Sequence, residues 1–108
     1  MPEPAPEEAD VFTAIASPVR RALLDALATG PLPVHDLAAG FTISRPAVSQ
    51  HLRILKQAEL VREERYGRER HYQLNPAPLR EVHTWIAHYE GFWRDRLSAL
   101  RDVLDEQP

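Results

Sequence analysis

The sequence predicts one mainly α-helical domain that carries a single small β-hairpin. Three observations favour this fold class. Apolar residues recur at helical spacing in segments between residues 17 and 58. The turn signal Tyr66-Gly67-Arg68 then separates two short runs of β-compatible residues. After Pro78, residues 79–106 contain one glycine and no proline, and their apolar spacing predicts a long C-terminal helix.

The first helical segment begins at Ser17, whose hydroxyl is suited to cap a helix N-terminus. Pro18 follows at the first helical position, where the N–H that proline lacks would have no intrahelical partner. The apolar residues that then recur at helical spacing are Val19, Leu23, Leu24 and Leu27. We expect this helix to complete the core beneath the segments that follow it.

Residues 44–74 form the most informative segment, and the first part of it, residues 44–58, predicts a helix. When successive residues are rotated by about 100°, the apolar residues fall within one arc that must face a core. That arc contains Ala47, Val48, His51, Leu52, Ile54, Leu55 and Ala58. Ser44 is suited to cap this helix, and Pro46 falls in its first turn. Because His51 lies within the apolar arc, we interpret it as a packed, hydrogen-bonded core residue.

The opposite arc of this helix carries basic, amide and hydroxyl side chains and no carboxylate. Arginine pairs with guanine edges, glutamine with adenine edges, and serine with bases or phosphates. Such a face is typical of a helix that lies in the major groove of DNA, although an ordinary solvated helix face is also polar. The predicted DNA contacts here are Ser44, Arg45, Ser49, Gln50, Arg53 and Lys56.

A shorter predicted helix, residues 34–39, comes before this one and ends at Gly40. Residues 41–43 alone separate it from the Ser44 cap. The order of helix, short turn and second helix matches a helix-turn-helix, in which residues 44–58 form the recognition helix.

Two β-compatible runs within residues 60–74 predict a hairpin, with Gly67 at a position that needs a positive φ. The hairpin is rich in arginine, although several glutamates dilute its charge. We expect its arginines to contact phosphates or the minor groove, which raises affinity more than sequence choice. These residues are Arg65, Arg68 and Arg70. The alternative is an exposed charged hairpin that resists edge-to-edge pairing.

Together these motifs resemble the ArsR-type (ArsR/SmtB) winged helix-turn-helix transcriptional regulators of bacteria and archaea. The resemblance covers about residues 12–104. Its matching segments are ASPVRR at 16–21, RPAVSQHL at 45–52, ELV at 59–61 and GRERHYQL at 67–74. Glu59 departs from the pattern, because the family usually has glycine there. The resemblance implies a homodimer that binds double-stranded operator DNA and most often represses transcription.

Charge is distributed unevenly along the chain, whose net charge is −3. Residues 44–72 contain seven Arg or Lys and four Glu, whereas the segments before and after them are both net acidic. The positive charge is therefore concentrated where the DNA-binding face is predicted. The acidic remainder repels DNA and could orient the approach of the protein.

The first nine residues are acidic and proline-rich, and we expect a disordered tail there, before one domain over residues 10–108. The sequence contains neither a secretory signal nor an apolar run of about 20 residues, so we expect a cytoplasmic protein without membrane association. The absence of cysteine excludes disulfides, a thiol redox switch and a thiolate metal site.

The predicted C-terminal helix, about residues 78–106, would span about 42 Å at 1.5 Å per residue, which is longer than one small domain can cover. We expect a second copy of the helix to cover the rest, giving a two-fold homodimer. The predicted interface residues are Val82, Trp85, Ile86, Tyr89, Trp93, Leu97 and Leu100. Alternatively, the aromatic residues of this helix line a pocket for an unknown effector.

Metal sensing receives little support from the histidines. His35 stands where metal-sensing relatives carry the second cysteine of a ligand motif, but Pro33 occupies the first ligand position and cannot coordinate an ion. His83 and His88 lie five residues apart, about 140° around a helix, so they cannot hold one ion together. We predict no metal site and no cofactor. The alternative is a metal-responsive regulator whose site is shared across the dimer by these histidines and nearby carboxylates.

No catalytic residues are predicted. The sequence contains no Gly-x-Ser-x-Gly elbow, no phosphate-binding glycine-rich loop and no His-Glu-x-x-His motif, so we do not expect an enzyme. The rival hypothesis is a winged-helix protein-interaction module that holds a protein partner and binds DNA only weakly. Specific and salt-dependent DNA binding would distinguish the regulator from this module.

Overall fold

A computed structural model describes residues 10–106 of the chain, and six helices and three strands follow one another in that range. The helices are α1 (Val11–Ala14), α2 (Pro18–Leu27), α3 (Val34–Ala39), α4 (Arg45–Gln57), α5 (Leu79–Ala87) and α6 (Glu90–Asp105). The strands are β1 (Leu32–Pro33), β2 (Val61–Tyr66) and β3 (Glu69–Leu74). The predicted mainly α-helical fold with a small hairpin is confirmed. The tail predicted at residues 1–9 lies outside the described residues.

Helices α2 and α4 begin at the serine caps that the sequence predicts. The Ser17 hydroxyl accepts a hydrogen bond from the Arg20 N–H at 3.3 Å, and the Ser44 hydroxyl accepts one from the Ala47 N–H at 3.3 Å. Each helix also has a proline in its first turn. The caps satisfy N–H groups that have no partner within the helix, so the local sequence sets where both helices start.

Helix α4 lies at the centre of the core. Its residues Val48, Leu52 and Leu55 are fully buried, and α1, α2, α3 and β2 pack around them. Full burial of each such side chain contributes about 1.5–3 kcal/mol. The other elements and the turn after α4 supply the remaining core residues, which are Val11, Ala14, Leu23, Leu24, Leu27, Leu37, Ala58, Leu60, Val61 and Tyr72.

Arg20 lies on α2 and contacts both α1 and α4. Its Nε donates to the Ala14 carbonyl at 2.7 Å, and its Nη2 donates to the Thr13 carbonyl at 3.0 Å, so the guanidinium caps the C-terminal end of α1. The third nitrogen, Nη1, lies 3.3 Å from Nδ1 of His51 on α4. His51 is partly buried, in agreement with its interpretation as a packed, hydrogen-bonded residue.

The sheet has the strand order β1-β3-β2, and all its pairings are antiparallel. The loop Gly67-Arg68 joins β2 to β3, and Gly67 has the positive φ, +65°, that a two-residue hairpin loop requires. Strand β1 was not predicted from the sequence. A two-residue strand that ends in proline carries almost no local β signal, and it forms because β3 offers a free edge for it to pair with.

Helix α4 ends in a turn that holds Glu59 in the left-handed region, with φ at +62°. The Leu60 N–H donates to the Leu55 carbonyl at 3.0 Å, and the Glu59 N–H donates to the Lys56 carbonyl at 3.0 Å. This is the Schellman pattern of helix ends, in which glycine is usual at the position of Glu59. The departure from glycine therefore leaves the turn intact but costs about 1–2 kcal/mol of backbone strain.

Asn75 attaches the end of the hairpin to this turn. Its Nδ2 donates to the Glu59 carbonyl at 2.7 Å, and its backbone N–H donates to the Leu60 carbonyl at 2.8 Å. The base of the hairpin is thus bonded to the C-terminal end of α4. These two bonds hold the hairpin and the helix in one relative orientation.

The C-terminal segment consists of two helices, so the prediction of one continuous helix over about residues 78–106 was wrong. At the end of α5, the His88 N–H donates to the Trp85 carbonyl at 3.2 Å and the Tyr89 N–H donates to the Ile86 carbonyl at 2.9 Å. These bonds span three residues and tighten the chain into a turn. Histidine, tyrosine and the nearby Gly91 are weak helix formers, whereas the apolar periodicity continues across the turn and conceals it.

Helix α6 extends away from the rest of the domain. Leu79 and Val82 of α5 pack against the core, but α6 contributes no buried residue. The Cα radius of gyration is 18.5 Å, against about 13 Å for a compact domain of this length. Nine of the ten large hydrophobic side chains exposed among residues 10–106 lie between Trp85 and Leu104. The two helices therefore present an apolar face that the protomer itself does not cover.

The described part of the chain has no helix whose length and hydropathy would suit it to crossing a lipid bilayer.

We expect Glu59→Gly to stabilise the protein, because glycine adopts the positive φ of this turn without a steric penalty. The free energy of unfolding should rise by about 0.5–1 kcal/mol, less than the whole strain, since glycine also gains entropy in the unfolded chain. Urea titration at constant protein concentration measures the change. Glu64→Gly, within strand β2, is the matched control and should lower stability. An unchanged or lower stability of Glu59→Gly would contradict strain at this turn.

We expect stability to fall in mild acid through His51. Burial, and then the charge of Arg20, lower the pKa of His51 below its ordinary value of 6.5. The unfolded chain therefore binds this proton first, so the stabilisation is present above about pH 6.5 and is lost as pH falls through the folded-state pKa. Denaturant titrations at pH 7.5 and 5.5 should show a smaller loss for His51→Gln than for the parent. His88→Gln, at an exposed position, should retain the parent's full loss.

Candidate nucleic-acid interface

A groove of about 580 Å³ lies between α3, α4 and the β2–β3 hairpin. Six of the nine side chains predicted to contact DNA line it, namely Arg45, Ser49, Arg53, Lys56, Arg68 and Arg70. The remaining lining residues are Pro33, Val34, His35, Glu63, Glu69 and Tyr72. The fold thus brings side chains from two separate predicted segments, the helix and the hairpin, onto one concave surface.

The other three predicted contacts lie outside this groove. Ser44 caps α4, and its hydroxyl is occupied by the Ala47 N–H. Gln50 follows Ser49 on α4 and is exposed to solvent. Arg65 lies on β2 and is also exposed. All three are exposed to solvent, and none of them lies in the core.

Strand pleating separates the hairpin into two faces. Glu63 and Arg65 of β2 share a face with Tyr72 and Arg70 of β3, their cross-strand partners. This is the groove side of the hairpin, because three of these four side chains line the groove. Arg65 and Arg70 stand directly opposite one another. Like charges in that arrangement repel each other, and the Glu63 carboxylate on the same face, 3.3 Å from Nε of Arg70, offsets part of the repulsion.

Positive charge predominates in the groove. Its lining includes five Arg or Lys side chains against two carboxylates, those of Glu63 and Glu69. Within residues 10–106, Arg45, Arg53 and Arg68 have no carboxylate within salt-bridge distance. Three cations are therefore free to meet a polyanion such as the phosphate backbone of DNA.

Glu63 is a site residue whose role was not predicted from the sequence, where its carboxylate counted only as a dilution of positive charge. Its Oε2 accepts a hydrogen bond from Nζ of Lys56 at 2.8 Å, and its Oε1 lies 3.3 Å from Nε of Arg70. The hydrogen bond from Lys56 lowers the pKa of Glu63, and the same bond raises the pKa of Lys56. Helical spacing cannot reveal such a pair, because the chain turns between its two members.

The histidines do not converge within the protomer. His35 pairs with its neighbour Asp36, with Nε2 3.2 Å from Oδ1, while His83, in the middle of α5, and His88, just after α5, are both exposed. Across the part of the chain that the structure describes, no three His, Asp or Glu side chains are placed to hold one metal ion. The absence of a metal site in the assembled protein stays a prediction.

The residues predicted for the dimer interface divide into two groups. Val82 packs partly against the core of its own protomer. The others are 49–65% exposed, and they are Trp85, Ile86, Tyr89, Trp93, Leu97 and Leu100. Trp85 lies between the rings of Phe12 and Tyr89, in edge-to-face contacts with centroids 5.8 and 5.7 Å apart. The exposed apolar face therefore begins where α1 meets α5, and none of its residues lines the basic groove.

Comparison with known proteins finds relatives that are bacterial transcriptional regulators. The model of the arsR family of bacterial regulatory proteins matches residues 17–63. The HTH-type transcriptional regulator Rv2034 of Mycobacterium tuberculosis is 41% identical over 96 residues, which cover 89% of this chain and 87% of that protein. The transcriptional repressor SdpR of Bacillus subtilis is 41% identical over 80 residues, which cover 74% of this chain and 89% of that repressor.

A solved structure shows the same architecture. The homodimeric winged helix-turn-helix DNA-binding domain of Mb0332 from Mycobacterium bovis superposes with a TM-score of 0.62 at 26% identity. The superposition covers 78% of this chain and 81% of that domain. The helix-turn-helix, the basic groove beside the hairpin and these relatives all indicate the same family. The chain belongs to the arsR family of bacterial regulatory proteins, and it is a winged helix-turn-helix transcriptional regulator that binds DNA.

Proposed function

We propose that the protein is a homodimeric repressor that binds a palindromic operator through helix α4 and the β2–β3 hairpin. The observation that carries this proposal is the single groove in which α4 and the hairpin present five cationic side chains. Repression is proposed because a relative that is 41% identical, SdpR, is named a transcriptional repressor. We place its action in the cytoplasm, where bacterial operator DNA lies.

In this proposal α4 lies in the major groove of the operator. Ser49, Gln50 and Arg53 extend from its exposed side, and such side chains read the base edges of adenine and guanine. Arg45, at the start of the helix, meets a phosphate there, where the positive end of the helix dipole also favours an anion. The base contacts select the sequence, while the phosphate contact fixes the position of the helix.

The hairpin contacts the sugar-phosphate backbone of the DNA, beside the major groove in which α4 lies. Arg68 lies at its tip, and Arg65 and Arg70 face each other just behind it. Among the described residues, Arg65 and Arg68 have no carboxylate within salt-bridge distance, so phosphate oxygens can bind them and give the hairpin a sequence-independent share of the affinity.

The dimer forms when two copies of the α5–α6 apolar face cover one another. Because Val82 packs against its own protomer, the proposed interface starts at Trp85 and continues along α6 through Trp93, Leu97 and Leu100. The homodimeric state of the Mb0332 domain supports the proposal. A two-fold axis would set two α4 helices in successive major grooves, about 34 Å apart, and would match a palindromic operator.

We expect variants of the groove to separate base contacts from phosphate contacts. The operator is first obtained by sequencing the genomic fragments that the purified protein retains. Gln50→Ala and Arg53→Ala should each weaken operator binding by about 1–3 kcal/mol and relax the preference at particular base pairs. Arg68→Ala should weaken operator and scrambled duplexes alike and reduce the salt dependence of log K by about one phosphate contact.

Fluorescence anisotropy with both duplexes at several salt concentrations measures these effects. Arg80→Ala, on the exposed surface of α5, is the matched control and should bind like the parent. If Gln50→Ala, Arg53→Ala and Arg68→Ala all bound the operator as tightly as the parent, the proposed DNA-binding face would be wrong.

We expect Trp93→Glu to separate the protomers without unfolding them. Trp93 is 58% exposed in the protomer, so its replacement leaves the protomer core intact, whereas a carboxylate buried between two copies is costly. Light scattering should report monomers, circular dichroism should report unchanged helix content, and operator affinity should fall. Ser98→Glu adds the same charge on the other side of α6 and should stay dimeric. A parent chain that is monomeric at micromolar concentration would contradict the proposed dimer.

A further inference from the structure

We propose that Glu63 is a specificity-determining residue, an internal anion that occupies Lys56 and Arg70 and thereby withholds both cations from nonspecific contacts with DNA phosphates. The inference rests on the proposed DNA-binding face, because it concerns the same groove. It adds a residue whose effect opposes affinity.

The geometry sets Glu63 beneath the two cations. Its two carboxylate oxygens each face one of them, Oε2 toward Lys56 at 2.8 Å and Oε1 toward Arg70 at 3.3 Å. The Glu63 side chain is only 20% exposed, whereas Lys56 is 55% and Arg70 is 63% exposed. The carboxylate therefore lies at the floor of the groove, and the cations reach over it from α4 and from β3.

The position of Glu63 makes its charge persistent. A partly buried ion pair is screened less by salt than an exposed pair. The bond from Lys56 lowers the pKa of Glu63, so the carboxylate stays ionised at neutral pH. The second carboxylate of the groove differs, because Glu69 is 56% exposed and pairs with His71. Glu63 is thus the anion that competes with phosphates for the cations of this groove.

An incoming phosphate meets one of two situations. If Lys56 and Arg70 stay on Glu63, the three groups together present a charge of +1 in place of +2. If the two cations move to phosphates, the Glu63 carboxylate is left unpaired and close to the DNA. In both situations fewer counterions are released from the DNA than the number of cations in the groove suggests, which lowers affinity and its dependence on salt.

Glu63 lowers the affinity for nonspecific DNA more than the affinity for the operator. Nonspecific complexes depend almost entirely on phosphate contacts, whereas the operator complex also has the base contacts proposed for Gln50 and Arg53. Glu63 therefore widens the ratio between operator affinity and nonspecific affinity. The affinity of the protein for all DNA is lower, but its affinity for the competing sites of the genome falls further than its affinity for the operator.

The first test compares Glu63→Gln with Glu64→Gln. Each removes one carboxylate from β2, but Glu64 lies on the opposite face of the strand, where it accepts a hydrogen bond from Tyr66. In anisotropy titrations at about 0.1 M salt, Glu63→Gln should strengthen binding to scrambled duplex about tenfold and steepen the salt slope by about 1. The gain for operator duplex should be smaller, so the specificity ratio falls. Glu64→Gln should change the two affinities equally and by less.

The second test is a double-mutant cycle on the pair. Lys56→Gln should weaken binding to scrambled duplex at least about fivefold more in the Glu63→Gln background than in the parent, because Lys56 is released only there. In the Lys56→Gln/Arg70→Gln background, Glu63→Gln should strengthen binding to scrambled duplex by less than it does in the parent, because no cation remains to be released. Thermal melts of every variant confirm folding. Should Glu63→Gln itself unfold, Glu63→Ala, which also removes the carboxylate but leaves no polar group to be buried, should raise affinity for scrambled duplex.

Two results would overturn the proposal, namely equal effects of Glu63→Gln and Glu64→Gln, or equal costs of Lys56→Gln in the two backgrounds. Failure of the proposed face has a different signature. In that case Arg53→Ala and Arg68→Ala bind like the parent, whatever residue occupies position 63. If only the role of Glu63 is wrong, those two variants still lose affinity.

Discussion

The burial of one side of α4 is the constraint on which the rest of the structure depends. Val48, Leu52 and Leu55 are fully enclosed by the surrounding elements, so a rotation of the helix would expose leucine and bury arginine. The outward direction of the polar side is therefore set by the packing behind it. Arg20 reinforces this from the rear, since its guanidinium binds the end of α1 and also lies against His51 of α4.

The groove needs the hairpin as much as the helix, and the two are joined at two levels. At the base, Asn75 bonds to both carbonyls of the turn that ends α4, so the hairpin cannot swing away without breaking them. Higher up, Glu63 links Lys56 of α4 to Arg70 of β3. The first link is made of neutral hydrogen bonds, whereas the second consists of charges that DNA can compete for. The hydrogen bonds of Asn75 therefore hold the hairpin in place, whereas the ion pairs of Glu63 can change when DNA binds.

The regulator binds a polyanion although its chain has a net charge of −3. This is possible because the charges are separated in space. Five cations and only two carboxylates line the groove, while most acidic residues lie elsewhere in the sequence. Within the groove, Glu63 sets how much of that positive charge is available. The apolar face of α5 and α6 shares no residue with the groove, so the proposed dimer contact and the proposed DNA contact use different surfaces of one small protomer.

Local signals in the sequence determined the parts of the fold whose causes are local. Ser17 and Ser44 set the starts of α2 and α4, and Gly67 set the hairpin turn, because caps and turns depend on residues within a few positions of each other. Helical periodicity likewise identified the polar face of α4, because the two sides of a helix follow from residue spacing alone.

Tertiary structure alone decided the features whose partners are distant or whose local preference is weak. Strand β1 forms because β3 presents an edge, and Val82 turns inward because the core of its own protomer receives it. The turn between α5 and α6 interrupts an apolar periodicity that is continuous in the sequence. Glu63 acquires two cations only when the hairpin folds back over α4. Side-chain spacing along a chain records which face is apolar, but it does not record which distant charges that folding will bring within hydrogen-bond distance.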